Sequence, residues 1–197
     1  VAVLALAGFG LRQVHWTEPV GTPVSVALIQ GNVPQEMKFN PAAFLHTLNL
    51  YLELIEQNPA QLTLLPETAL PSFFSSLPPR YVDALNKAVS AHGGDLIAGT
   101  LLGERESYWN GAVSLGVSPI QTYSKRHLVP FGEFIPPGFA WFMAHANIPM
   151  SSFSRGPAVQ APLEVAGRKV AVNICYEDVF GEEIIRGRYG WIGARVP

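Results

Sequence analysis

The chain opens on an unbroken apolar stretch, residues 1–11 (VAVLALAGFGL), closed by Arg12. Eleven residues are about half of what a helix needs to cross the ~30 Å core of a bilayer. The stretch reads either as the end of a transmembrane helix or as a buried core segment. Residues 12–23 are polar and Pro-bearing and read as a connector. Beyond them the pattern alternates between strand and helix periods. Residues 24–30 (VSVALIQ) form a β-branched run and predict a first strand. Asn40-Pro41 is a cap followed by a helix-opening proline. Phe44, Leu45, Leu48, Leu52 and Ile55 then recur at helical spacing until Asn58-Pro59. Residues 62–65 predict a second strand ending at Pro66-Glu67. A second helix starts near Pro78-Pro79, carries Val82, Leu85 and Val89 on one face, and stops at His92-Gly93-Gly94. Residues 95–101, 109–115 and 120–123 read as strands, the last two paired as a hairpin. An aromatic-rich loop spans 130–157. Residues 163–165 and 169–174 predict a hairpin turning at Gly167, with Cys175 where its last strand ends. This order predicts an α/β fold, a layered sheet with helices on one face.

Composition narrows the function. The 197 residues suit one domain, and 13 Lys and Arg against 15 Asp and Glu give a net charge of −2. With no basic excess, nucleic acid is excluded as a partner. Hydrophobic residues make up 48% and charged residues 14%, which excludes disorder and points to a chain working near a membrane. A single cysteine rules out an internal disulfide framework and any multi-cysteine metal site. His46, His92, His127 and His145 are scattered without ligand spacing, so neither metal nor cofactor is expected.

The one thiol therefore stands out. A lone cysteine is most often a buried structural residue. Cys175, however, follows an apolar strand and precedes Tyr176, Glu177 and Asp178, a polar setting at a turn. Neighbouring carboxylates raise a thiol pKa, so a reactive Cys175 needs a cation and a base from elsewhere in the chain. Glu67, in Leu64-Leu65-Pro66-Glu67-Thr68, is a lone carboxylate at a strand end, suited to a general base or to an ordinary helix first turn. Lys125, in Tyr123-Ser124-Lys125-Arg126-His127, ends another strand and offers charge for a thiolate or an oxyanion, or is simply solvated.

In order along the chain, P-E-T, K-x-H-L-V-P-F-G-E and N-I-C-Y-E-D resemble the nitrilase (carbon–nitrogen hydrolase) superfamily. Gln30-Gly31-Asn32-Val33-Pro34-Gln35, Phe134-Ile135-Pro136 and Phe153-Ser154-Arg155-Gly156-Pro157 are similar to its apolipoprotein N-acyltransferase branch. The resemblance runs from about residue 24 to 186 and implies an α-β-β-α sandwich with a Glu-Lys-Cys triad. By position, Glu67 would be the general base, Lys125 the oxyanion stabiliser and Cys175 the acyl carrier. Glu133 would orient Lys125 or Glu67, and Tyr176 and Glu177 would support the nucleophile. Asn110, in Tyr108-Trp109-Asn110-Gly111, and Phe39, where the family often has Trp, would contact substrate.

The same resemblance implies a phospholipid acyl donor, an apolipoprotein acceptor and a monomer on the periplasmic side of a bacterial inner membrane. Phe139, Trp141, Phe142 and Met143 would suit an acyl-chain entrance or simple core packing. The implied domains are 1–11, the end of a transmembrane segment; 12–23, a connector; 24–187, the catalytic domain; and 188–197, an atypical tail. Family members continue well past the cysteine, so a C-terminally incomplete domain is expected. A soluble nitrilase-type amidase acting on a small amide, a truncated inactive remnant and a lipid-binding module stay open on the residues alone.

Overall fold

The computed structural model describes residues 1–15, 21–104, 106–138 and 152–182. Phe139, Trp141, Phe142, Met143 and His145, and the tail from 188 to 197, lie outside them. Strands β1 (Val26–Leu28), β2 (Leu62–Leu64), β3 (Leu70–Phe73), β4 (Asp95–Glu104), β5 (Ser107–Gly116) and β6 (Thr122–Ser124) form one sheet, and β7 (Leu163–Val165) and β8 (Arg168–Val170) pair separately. Helices are α1 (Ala2–Arg12), α2 (Pro41–Gln57) and α3 (Pro79–Ser90).

The main sheet runs β1-β2-β4-β5-β6, parallel through β4 and antiparallel beyond it. The longest pairing is the β4–β5 hairpin, from Asp95↔Gly116 to Glu104↔Ser107. The expected 95–101 and 109–115 runs are thus partners of each other, as well as β5 of β6. Side chains alternate across the sheet. On β4, Leu96 and Ala98 enter the core beneath α2 and α3, while Ile97 faces Leu62, Ala112, Leu163 and Val165 on the other side. Both faces are covered there, which explains why residues 96–99 carry no polar side chain on either face.

The helices form where the sequence places them. Asn40 caps α2 by accepting from Ala42 N at 2.9 Å, with Pro41 in the first turn. On α3 the buried face is Tyr81, Leu85 and Val89, with Val82 packed at its edge. Tyr81 also donates to the Leu48 carbonyl of α2 at 2.9 Å, tying the helices together. Desolvation raises its phenol pKa far above the ordinary value. The first segment is a helix, and none of the residues of α1 is buried.

Several expectations are corrected. β3 was not anticipated, because Leu70-Pro71 carries a proline that argues against a strand; it pairs parallel with the far half of β4. β8 ends at Val170, so Cys175 is not at a strand end but opens a short 3-10 turn, Cys175–Val179. The ladder stops because Leu163↔Val170 is its last pair and Pro162, the next residue on β7's side, has no N–H to donate.

Asp95 welds the two sheets. Fully buried at the start of β4, its Oδ1 accepts from Ser118 N at 2.8 Å, and its Oδ2 accepts from Ser118 Oγ and Ala166 N, each at 2.7 Å. Asp95→Ala strands these donors in the interior and is expected to cost about 2–4 kcal/mol. Urea denaturation of the two proteins measures it.

Candidate active site

Glu67 stands where the sheet is interrupted. β2 pairs with residues 95–97 of β4 and β3 rejoins β4 at 100–101, so residues 65–69 arch over the strand between. Leu65 N still bonds Ile97 O at 2.9 Å, and Ala69 N returns to Pro66 O at 3.2 Å. Thr68 takes φ 53°, the left-handed region, to close the arch. Gly99 makes room beneath it: a Cβ there would lie 2.7 Å from Thr68 N and 2.8 Å from Glu67 Cα. The arch lifts the carboxylate out of the sheet.

Lys125 follows β6 and is 1% exposed. Its main chain is held on both sides, Lys125 N donating to Asn110 O at 2.8 Å and Gly156 N to Lys125 O at 2.9 Å. The ammonium meets Glu67 Oε1 at 3.2 Å and Glu133 Oε1 at 3.0 Å. Asn110 Nδ2 donates to the same two oxygens, at 2.6 and 2.8 Å. Glu133 is aimed by its own loop, its Oε2 accepting from Val129 N at 2.9 Å while its N–H returns to Val129 O. The result is a ring of an ammonium, an amide and two carboxylates. Within it Glu67 is the accessible acid, 33% exposed against 13% for Glu133.

Burial pushes the Lys125 pKa down, but the hydrogen bond to Glu133, with the charges of both carboxylates, outweighs it and leaves the value raised. Lys125 is therefore a fixed cation at neutral pH, unsuited to act as a base.

Glu177 joins the cysteine turn to this cluster. It is 5% exposed, and its carboxylate accepts from Arg126 N at 2.7 Å, His127 N at 3.3 Å, Ile174 N at 2.8 Å and the Tyr123 hydroxyl at 2.9 Å. One carboxylate thus gathers the residue after Lys125 and the residue before Cys175. Phe180 stacks on His127 at 3.8 Å, and Tyr176 meets Phe180 edge-on at 5.3 Å. Cys175 itself is exposed and holds φ 52°, a conformation that L residues adopt at a cost of about 1–3 kcal/mol. Its thiol makes no hydrogen bond to Glu67 or Lys125. The structure thus brings Glu67, Lys125, Glu133 and Asn110 into direct contact, and links the turn that carries Cys175 and Tyr176 to the lysine loop through Glu177. Phe39 is 48% exposed and follows Lys38, whose Nζ donates to Glu67 O at 3.3 Å.

Residues 25–187 match the Carbon-nitrogen hydrolase family. The chain belongs to that family. Among curated relatives, it is 50% identical over 186 residues to the apolipoprotein N-acyltransferase of Nitrosomonas europaea, covering 91% of this chain and 37% of that protein. It is 46% identical to the apolipoprotein N-acyltransferase of Ralstonia nicotianae, covering 93% and 36%. The chain thus spans little more than a third of the length of these relatives. Among solved structures, a mutant amidase of the nitrilase superfamily from Nesterenkonia AN1 superposes with TM-score 0.55 at 21% identity, covering 90% of this chain and 64% of that one. A CN-hydrolase superfamily protein of Xanthomonas campestris gives 0.53 at 19%, covering 81% and 56%. These likenesses establish the carbon–nitrogen hydrolase fold.

Two participants escaped the sequence reading. Lys38 sits in a short turn with no periodic signal, and Gly99 looks like an ordinary strand glycine. A glycine inside an otherwise apolar strand is the mark of a close backbone approach, and that mark was available.

Removing Lys125 leaves two carboxylates facing each other. Lys125→Met is expected to cost about 3–5 kcal/mol. Because the folded pKa of Lys125 is raised, its contribution is fully present below the ordinary value of 10.5 and is lost as pH rises through the folded pKa. The stability gap between wild type and Lys125→Met, from denaturation at a series of pH values, should be level between about pH 8 and 10 and narrow above that.

Proposed function

We propose that this chain carries the catalytic centre of an N-acyltransferase that moves a fatty acyl group from a membrane phospholipid to the N-terminal diacylglyceryl-cysteine of apolipoproteins. The observation that carries the reading is the buried Lys125 ammonium fixed between Glu67 and Glu133. A cation preorganised in a dry site stabilises an anion only as it develops, which is what acyl transfer requires. The names of the curated relatives supply the acyl transfer and its apolipoprotein acceptor, and the motif resemblance implies the phospholipid donor.

In this scheme Glu67 takes the thiol proton as Cys175 Sγ attacks the donor ester carbonyl. Lys125 stabilises the tetrahedral oxyanion. The C–O bond breaks, the alcohol leaves as lysophospholipid with the proton from Glu67, and a thioester remains on Cys175. The acceptor amine then attacks the thioester and Glu67 takes its proton. Collapse forms the amide and returns the proton to the departing thiolate. Splitting the transfer makes each step easier, and exclusion of water protects the thioester. Glu133 and Asn110 hold the Lys125–Glu67 pair in register, and Glu177, with Tyr176, holds the cysteine turn.

Both substrates are lipid-borne, so residues 24–187 are assigned as the catalytic domain, working as a monomer against the periplasmic face of the inner membrane. Among the described residues no helix is long and apolar enough to cross a membrane. Helix α1 nevertheless supports lipid contact: Val3 and Leu4 are each 78% exposed, with Leu6 and Phe9 also open. Residues 1–11 are accordingly assigned to the end of a membrane helix.

Incubating the full-length protein with phospholipid vesicles, without acceptor, should add one fatty acyl mass to Cys175. Cys175→Ala should abolish the adduct and Glu67→Ala should lower its rate by at least about a hundredfold. Mass spectrometry of the cysteine peptide reads both. Failure of the wild-type protein to form any adduct contradicts the reading, and release of ammonia from small amides in its place favours an amidase.

A further inference from the structure

The site has a second cation that the acyl-transfer scheme does not use. Lys38 follows the 3-10 turn Gln35–Met37 and reaches back to the Glu67 main chain, donating to its carbonyl at 3.3 Å. Among the described residues it forms no ion pair with a carboxylate. An ammonium has three donors, so Lys38 retains capacity for an anion. Lys125 has two of its donors on Glu67 and Glu133, and the acyl-transfer scheme commits the third to the oxyanion.

Lys38 also lines a cavity of about 420 Å³ at the carboxyl ends of the parallel strands β1 and β2. Open α/β sheets take their ligands at that end, and the volume is that of a small-molecule site. The cavity walls include Leu28, Val33, Leu64 and Leu65, with Gln30 and Asn32 as further polar groups. Leu28 is 76% exposed although it points from a strand of the central sheet. An apolar wall open to solvent beside a cation fits an amphiphile with an anionic group near its aliphatic part.

Charge points the same way. The ring around Lys125 holds two carboxylates against one ammonium, so it repels an approaching phosphate. Lys38 is placed to offset that repulsion next to Glu67. In a glycerophospholipid the phosphate and the ester carbonyls are separated by one glycerol unit. Between Lys38 Nζ and the Glu67 carboxylate lies the span of a single residue, from its carbonyl oxygen to its side-chain end.

We propose that Lys38 binds the phosphodiester of the acyl donor while the cavity at the ends of β1 and β2 receives aliphatic carbon of the same molecule. Lys38 thereby selects phospho-donors over neutral esters. This rests on the acyl-transfer reading of the site.

The test measures single-turnover loading of Cys175 in the full-length protein with two donors of the same fatty acid. One is a glycerophospholipid in mixed micelles and the other a p-nitrophenyl ester. The readout is the ratio of their loading efficiencies. In Lys38→Gln the ratio should fall by about tenfold, through a higher half-saturating concentration of the phospholipid, and Lys38→Arg should restore most of it. An equal loss with both donors makes Lys38 a prop for the Glu67 carbonyl and overturns the proposal, as does an unchanged ratio. Loading of neither donor by the wild-type protein removes the acyl-transfer reading and this proposal with it. Wild-type loading with an unchanged ratio in Lys38→Gln removes this proposal alone.

Discussion

An ammonium group that is 1% exposed must recover in local contacts what it loses in hydration, a loss of several kcal/mol even after relaxation. At Lys125 the recovery comes from Glu67 and Glu133, which lie 43 and 23 residues from Asn110, the amide that bridges them. Each contributor makes its own demand on the fold. Glu67 requires the arch between β2 and β3, and that arch requires a glycine at 99. Glu133 requires a loop that bonds to itself through Val129. Lys125 requires a main chain fixed by β5 on one side and by Gly156 on the other. The parallel half of the sheet, its antiparallel half and the 129–134 loop therefore converge on one charge. A cation so held cannot relax away from its partners, which is what makes it useful to a reaction that develops negative charge.

Cys175 is governed by a different constraint. Its turn sits beyond the end of the β7–β8 ladder, so strand pairing does not position it. Glu177 does, by accepting main-chain N–H groups from both the lysine loop and the cysteine turn. A buried carboxylate is tolerable when several N–H groups surround it. The same arrangement allows Cys175 to hold a strained φ while staying exposed. Positioning by these hydrogen bonds, with Phe180 stacked on His127, leaves the thiol accessible while the lysine is closed to solvent.

Much of this was legible in the sequence, for identifiable reasons. Helix α2 was readable almost to the residue because Asn40-Pro41 and Asn58-Pro59 act locally, through capping and proline geometry. The strands of the sheet interior were readable as elements, but the β4–β5 partnership was not, since both runs are buried on both faces and carry no alternation to set a register. β3 was hidden by its proline. The site residues Glu67, Lys125 and Glu133 emerged from motif order, whereas their mutual contact is a product of chain crossings that periodicity does not encode. Asn110, expected at substrate, also enters the charged ring through chain crossings of the same kind. Lys38 acquires meaning only through its distance to Glu67.

If the ring around Lys125 works as one device, its members cannot contribute independently. The decisive measurement is the burst rate of Cys175 acylation from phospholipid in Glu67→Gln, Lys125→Met and the double variant of the full-length protein. Each single change should slow the burst by about a thousandfold or more, and the double variant should be little slower than either, as for residues that act as a unit. Losses that multiply in the double variant would show that base and cation act separately and would contradict the account.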